Sequence, residues 1–420
     1  MLVNTENIKN SWYSVLLFLI WPFLALIFAF KNHDKRWSRN IIWLFTIFYG
    51  YTFVVVDTMD NIKYKEFFLN EINQEKNWTN FLDIFSPDIY GRLDVVRDII
   101  NFILTSFTDN YHVLFAVYGL IFGYFYSRNI MFLFENIQNR PSFWTTSIFI
   151  FFSLIIGIWE LNGFRFWTAT HIFIYFTFLY FKKANIKYII GLFIPVLFHF
   201  AFIAPFLILL SYIFLGNWIK IYFIMFLVSS IFLFAPVDLS SKYLLGYTPE
   251  IYQEKVEGYN DEEYKLLVQE KRDSKSILVK GYAILLRSLS ILVVIMIFIK
   301  RKYLRNLNKW SFNLFCFILF FLSIFSVVSS IPSVGRFLIV GYLLLFALFF
   351  ITINNFNFKR ETEFFIGLIF YFMITLLLYN KSGQILFSTS YKVILFNPIV
   401  SIFTEEDILS LADYIKKYFL

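Results

Sequence analysis

Apolar residues along this chain come in blocks rather than in stripes. A helix that crosses a bilayer needs about 20 apolar residues, and fewer where it is tilted, broken or enclosed by protein. Blocks of that kind are read as spans at 12–30, 41–56, 111–126, 143–159 and 164–181, then 279–299, 312–330, 336–353 and 364–379. Residues 189–236 must hold an odd number of crossings, as the charge pattern below requires, and three short ones fit, with turns near 201–205 and 216–220. That makes about twelve crossings in all. The first block is too long for a signal-peptide core and lacks a small-residue cleavage site, so it reads as a permanent helix.

Charge then orients the spans. Short basic loops face the cytoplasm, which places Lys31, Lys35, Arg36 and Arg39 inside and the start of the chain outside. Lys182, Lys183 and Lys187, the acid-free run Lys300, Arg301, Lys302, Arg305 and Lys309, and Lys359 with Arg360 are inside as well. Two polar segments fall outside: 57–110, rich in acids, and 237–278, which carries nine of them. Apolar parts of the first, at 81–85 and 95–107, read as helices on or dipping into the membrane. The tail 404–420 reads as an amphipathic interfacial helix, with Ile408, Leu411, Ala412, Ile415 and Phe419 on one face and Thr404 and Asp407 as its capping pair.

Composition closes off the other classes. Of 420 residues, 59% are hydrophobic and 16% charged, with mean hydropathy +0.65. Globular domains run at roughly 45–50% and 25%. A cytosolic enzyme, a secreted domain and a disordered chain are excluded, and an all-α polytopic integral membrane protein is expected, with residues 1–420 as one membrane domain. Net charge is +8, but the cations sit in loops between spans, which argues against nucleic acid as a partner. The one cysteine, Cys316, lies inside an apolar run, so neither a disulfide framework nor a thiolate metal site is available. The abundance of Phe and Tyr fits codon bias in an AT-rich gene.

Ionisable groups in spans are costly and therefore mark candidate sites. Glu160, Asn162 and Arg165 stand together in Trp-Glu-Leu-Asn-Gly-Phe-Arg-Phe-Trp, where the fourth and fifth spans meet outside. A simple Glu160–Arg165 ion pair at headgroup level is the plain alternative to a functional role. His199 lies in Leu-Phe-His-Phe-Ala, and Arg336 opens an inward span, where snorkelling to lipid phosphate is its plain alternative. Arg165, Arg336 and His199 all fall toward the outer leaflet. Two guanidiniums there suit a diphosphate, because the planar fork keeps its charge and grips phosphate bidentately. Arg92 and Arg97 are candidates to join them, or are surface decoration. Asp57 and Asp60 stand in the first outer segment, and Tyr243, Tyr247, Tyr252, Tyr259 and Tyr264 in the second, where interfacial anchoring is their plain role. No zinc-protease, P-loop or dinucleotide-binding motif occurs, and no metal-ligand set or cofactor is expected.

The layout resembles the Wzy-type polysaccharide repeat-unit polymerases, and within them the EpsG-like branch. The resemblance rests on Asp60, Tyr64 and Phe67 after the second span and on Leu-Thr-Ser-Phe-Thr-Asp-Asn at 104–110. It continues through Arg165 with Lys182 and Lys183, His199 with Ala201, and Arg336 before an aromatic-rich span. Phe166-Trp167 and Phe200-Ala201 depart from the polar steps usual in the family. The resemblance implies a bacterial inner-membrane glycosyltransferase, metal-independent on this reading, acting at the periplasmic face. It would join undecaprenyl-diphosphate-linked oligosaccharides, as donor and acceptor, into O-antigen, capsule or exopolysaccharide. A chain-length regulator protein is a further candidate partner besides the lipid bilayer. A lipid-linked oligosaccharide flippase, an O-antigen ligase and a membrane acyltransferase are the competing readings. Arg165, Arg336, His199 and Glu160 are the expected catalytic set, with Asp57, Asp60, Tyr64, Arg92, Arg97 and Asn162 binding substrate.

Overall fold

The computed structural model describes residues 12–419 except 34, 58, 87–93, 235–269, 271–273, 275, 330, 332, 357 and 405–407, and the regular elements among them are helical. Along the chain these are α1 (Pro22–Lys31), α2 (Arg36–Tyr51), α3 (Asn61–Ile72), α4 (Trp78–Asp83), α5 (Val96–Thr105), α6 (Tyr111–Phe134) and α7 (Phe143–Ile155). After a 3-10 turn at Ile158–Gly163 come α8 (Phe164–Lys183), α9 (Lys187–Phe198), α10 (Ile203–Leu215) and α11 (Ile219–Ser229). The last set is α12 (Ile277–Ile299), α13 (Arg301–Leu307), α14 (Lys309–Val327), α15 (Arg336–Asn355), α16 (Arg360–Ser388) and α17 (Leu411–Phe419). Among the described residues six stretches are long and apolar enough to cross a membrane: Tyr111–Phe134, Phe143–Lys183, Ile277–Ile299, Lys309–Val327, Arg336–Asn355 and Arg360–Ser388. Shorter apolar helices lie at Pro22–Lys31, Lys187–Phe198, Phe200–Leu215 and Ile219–Phe234. This is an all-helical, polytopic membrane architecture.

Side-chain contacts fix the directions. The Tyr126 hydroxyl donates to the Ser153 carbonyl and Phe134 packs on Phe149, so α7 runs opposite to α6. Tyr118 stacks on Phe164 and Phe132 on Phe178, so α8 runs with α6, and the stretch Phe143–Lys183 is a hairpin. Phe151 meets Phe346 and the Thr145 hydroxyl donates to Asn354, which turns α15 against α7. Trp144 meets Phe364 while Gln384 donates to the Trp159 carbonyl, so α16 runs with α7. One end of the bundle therefore gathers the starts of α6, α8 and α15 and the finishes of α2, α7, α9, α14 and α16. The opposite end carries Lys31, Arg36, Arg39, Arg140, Lys182, Lys183, Lys309, Lys359 and Arg360. The acids Asp57, Asp60, Asp94, Asp98 and Glu160 lie at the first end, the separation that the loop charges predict.

Local chemistry explains the breaks. Asn110 and Ser142 cap α6 and α7 by accepting backbone N–H groups of His112 and Thr145. Pro195 sits inside α9, which stops at Phe198, and His199 is extended. Gly216 closes α10 at φ +76°, a conformation that suits glycine. Residues 187–229 thus hold three short helices; the expected first turn lies slightly earlier, at His199–Phe202. The α14–α15 pair forms the apolar centre, where Ser323 and Thr352 return their hydroxyls to carbonyls four residues back.

One expectation is corrected. The tail helix spans Leu411–Phe419, not 404–420, and its cap is Ser410, whose Oγ accepts the Asp413 N–H at 3.1 Å. Thr404 does not cap it: its carbonyl and hydroxyl both accept from Lys392 Nζ, at 3.2 and 3.1 Å. Asp407 lies outside the described residues. In the segment 57–110, α5 packs against α3, a helix the apolar pattern did not predict because its core-facing side is only Asn61, Tyr64 and Phe68. The segment 237–278, with its tyrosines, falls largely outside the described residues.

Candidate functional site

The site is built where helices stop. After α7 the chain makes one 3-10 turn and re-enters helix at Phe164. A 3-10 step turns about 120° per residue and an α step about 100°, so Glu160 and Arg165 point about 200° apart. Their side chains accordingly go to different partners, and the Glu160–Arg165 pair given above as the plain alternative does not form. Glu160 is buried and receives Lys381 Nζ of α16 at 2.6 Å. Asn162 accepts the Asn61 backbone N–H at 3.2 Å, which ties the turn to the head of α3. Arg165 turns to Asp94.

Asp94 is the joint of the site. One carboxylate oxygen takes Arg165 Nη1 at 2.6 Å, and the other accepts the Phe200 backbone N–H at 2.9 Å. That N–H is available because Pro195 and the extended His199 end the helix just before it. The Tyr64 hydroxyl also bonds the Arg165 guanidinium. One carboxylate thus holds the start of α8 against the α9–α10 break, and a charge-assisted bond of this kind is about twice as strong as a neutral one.

Phe166, the next residue along, collects the other two. Its ring lies 5.2 Å from the His199 ring, nearly perpendicular, and 5.6 Å beneath the Arg336 guanidinium. Arg336 is exposed and makes no ion pair among the described residues. Arg165, His199 and Arg336 therefore lie at one end of the bundle, with Phe166 touching the last two.

Arg97 is buried rather than surface decoration. Its Nε and Nη2 reach Asp98 Oδ1 at 3.2 and 3.1 Å, and its guanidinium lies 4.2 Å over the Phe67 ring. Tyr118, wholly buried, interacts electrostatically with Tyr64, Arg97, Asp98 and Arg165. Four buried donors at this end have no hydrogen-bond partner among the described residues: Arg165 Nε, Tyr118 OH, Asn61 Nδ2 and Trp159 Nε1. Buried donors are nearly always satisfied, so each of these is a candidate to meet an acceptor from outside the chain. No three His, Cys, Asp or Glu side chains among the described residues gather as a metal-ligand set.

The EpsG family model matches residues 37–393. The chain belongs to the EpsG family. That family is linked to exopolysaccharide synthesis. Nothing matches among curated proteins or among solved structures. The EpsG match takes in α2, from its second residue, to α16, and with them Tyr64, Asp94, Arg97, Asp98, Glu160, Arg165, His199, Arg336 and Lys381.

Within this EpsG-family chain, not every expected residue joins the cluster. Asp57 and Asp60 are exposed and their carboxylates bond nothing among the described residues. Arg92 lies outside the described residues. Tyr64, expected from the family resemblance, is held directly against Arg165. Four residues went unremarked in the sequence as site partners: Asp94, Asn61, Tyr118 and Lys381. Lys381 had a legible signal, a cation just past an apolar span, but α16 continues to Ser388 and carries it inside the helix. His171 also escaped notice. It is buried in α8, takes Asn129 Nδ2 on its carbonyl at 2.9 Å and sits 3.3 Å from the Ile156 carbonyl, where α7 ends.

Proposed function

We propose that this EpsG-family protein is a polysaccharide repeat-unit polymerase of the inner membrane. It crosses the membrane twelve times, through α1, α2, α6 to α12 and α14 to α16, with the charged end at the periplasmic face and the basic end in the cytoplasm. The observation that carries the reading is Arg165, clamped by Asp94 and Tyr64, beside Arg336 and His199 on the shared Phe166 ring.

In the proposed reaction an acceptor hydroxyl of one lipid-linked oligosaccharide forms a bond to the anomeric carbon of the growing chain. The bond from that carbon to undecaprenyl diphosphate breaks, and the diphosphate leaves with the electron pair. Arg165 and Arg336 hold the departing charge, since preorganised donors in a poorly hydrated site stabilise it best. His199 takes the acceptor proton. Glu160 is less suited to that task, because Lys381 already occupies its carboxylate. Tyr64, Arg97 and Asn162 line the approach, and Asp57 and Asp60 stand exposed for sugar hydroxyls.

The test is the length of surface glycan in a strain deleted for the gene and complemented with variants. Deletion is expected to leave single repeats and remove long chains. Arg165→Lys and Arg336→Lys are expected to give the same result at normal protein level, because lysine lacks the fork. Loss of even single repeats on deletion would instead indicate a flippase or ligase. Normal ladders from both variants would remove the arginines from the mechanism.

A further inference from the structure

At the opposite end of the bundle, α2 and α6 carry a second pair of guanidiniums that the proposed reaction does not use. Arg128 is half-buried. Its guanidinium lies 3.9 Å over the Tyr124 ring and 4.9 Å from that of Trp43, and its Nη1 donates to Ser127 Oγ at 2.9 Å. Trp43 is itself fixed, donating Nε1–H to the Leu120 carbonyl at 2.8 Å. Arg39, one helical turn before Trp43, is close enough for the two positive charges to repel. The Arg39 Nε is buried and has no hydrogen-bond partner among the described residues. No Asp or Glu pairs with either arginine among those residues.

This face points outward from the bundle, since Leu120 and Tyr124 on the same side of α6 are exposed. Arg128 is six residues before the end of α6, about 9 Å along the helix from it. Arg39 is three residues into α2 at the same end, so both cations lie within reach of the headgroups of the leaflet proposed for the basic end. Two like charges there are unfavourable, and arginine does not relieve the repulsion by losing its proton. An anion supplied from outside the chain does. The aromatic walls and Ser127 hold the guanidinium in place, and a planar fork so fixed is suited to charge-assisted binding of phosphate oxygens.

We infer that Arg39 and Arg128, between Trp43 and Tyr124, bind the phosphate group of an anionic lipid in the leaflet at the basic end. The site is separate from the polymerase reading and stands on the chain's being embedded in a membrane. It takes a phosphodiester headgroup with net negative charge.

Native mass spectrometry of the full-length protein in detergent tests this, with phosphatidylglycerol, phosphatidylcholine and inorganic phosphate added in turn. Phosphatidylglycerol is expected to be retained at least about tenfold more tightly than phosphatidylcholine, as for one added charge-assisted contact. Arg39→Gln with Arg128→Gln is expected to erase that preference, while Arg140→Gln, a basic-end control, leaves it intact. Should the double variant fail to insert, Arg128→Lys carries the test: it keeps the charge, lacks the fork, and is expected to lose several-fold in retention. Equal retention of the two lipids by the unmodified protein overturns the inference, as does an unchanged preference in the variants. Inorganic phosphate competing as well as the lipid at equal concentration would make this a free-anion site and overturn the lipid assignment.

Discussion

Between α2 and α6 the backbones touch: a Cβ added at Gly50 would overlap the Phe115 carbonyl, and one at Gly119 the Thr46 carbonyl. Nothing ionisable takes part in that contact. At the end of the same helices, Tyr64, Asp94, Arg97, Asp98 and Arg165 gather, and Arg165 Nε and Tyr118 OH are buried there without a hydrogen-bond partner among the described residues. The first region packs by removing side chains, which suits a membrane interior where lipid offers helices no hydrophobic reason to associate. The second keeps costly charges, and keeps them where helices break and expose backbone partners such as the Phe200 N–H. The glycine contact makes a rigid frame, and the charged end spends that rigidity on placing two arginines.

The largest effect expected from disturbing either region is at the frame. Gly119→Val should force α2 and α6 apart, costing about 1–3 kcal/mol or more, and should lower both the amount of inserted protein and its melting temperature. Inserted protein at the normal level would mean that the helices adjust and the contact is not a frame. Next comes Asp94→Asn. The amide keeps the shape but loses the charge that holds Arg165, and a displacement of the order of 1 Å at a reacting centre costs about 100-fold in rate. Chain extension should fall by about that factor with protein level unchanged. A normal ladder would show that Arg165 is held by Tyr64 alone.

The two regions were unequally legible in the sequence. Basic and acidic loops were enough to orient most of the helices, because the loop charges sit at helix ends and report which end each is. Arg165, His199 and Arg336 stood out for the same reason: a charge beside an apolar block is conspicuous. Their partners were not visible. Asp94 is one acid among many in 57–110, and Lys381 meets Glu160 across more than 200 residues, a pairing no local spacing encodes. The Glu160–Arg165 ion pair, the plain alternative to a functional role, does not form, because the 3-10 turn rotates the two apart. In the tail, Thr404 and Asp407 had the pattern of a cap, and Lys392 took the threonine instead.

A smaller effect separates structural charge from chemical charge at the site. Lys381→Met leaves Glu160 buried without its cation. Breaking a buried pair costs about 3–5 kcal/mol, less here because the lysine side chain is 26% exposed, so a melting temperature lower by several degrees is expected. Adding Glu160→Gln should recover most of that loss and leave chains extending. A stable double variant that makes no polymer would return Glu160 to the catalytic set.

The smallest effect is expected at Phe166, which has no polar atom and yet touches both His199 and Arg336. Phe166→Leu keeps an apolar side chain but removes the ring face beneath the guanidinium. A cation–π contact at an exposed site contributes about 0.5–1 kcal/mol, so chain extension per inserted molecule should fall no more than about fivefold, and Phe166→Tyr should restore it. The measurement is the ladder normalised to protein level, because loss of ring volume at a buried position also lowers stability. A wild-type ladder from Phe166→Leu would mean that Arg336 finds its place from α15 alone, and the platform joining it to His199 would have no functional weight.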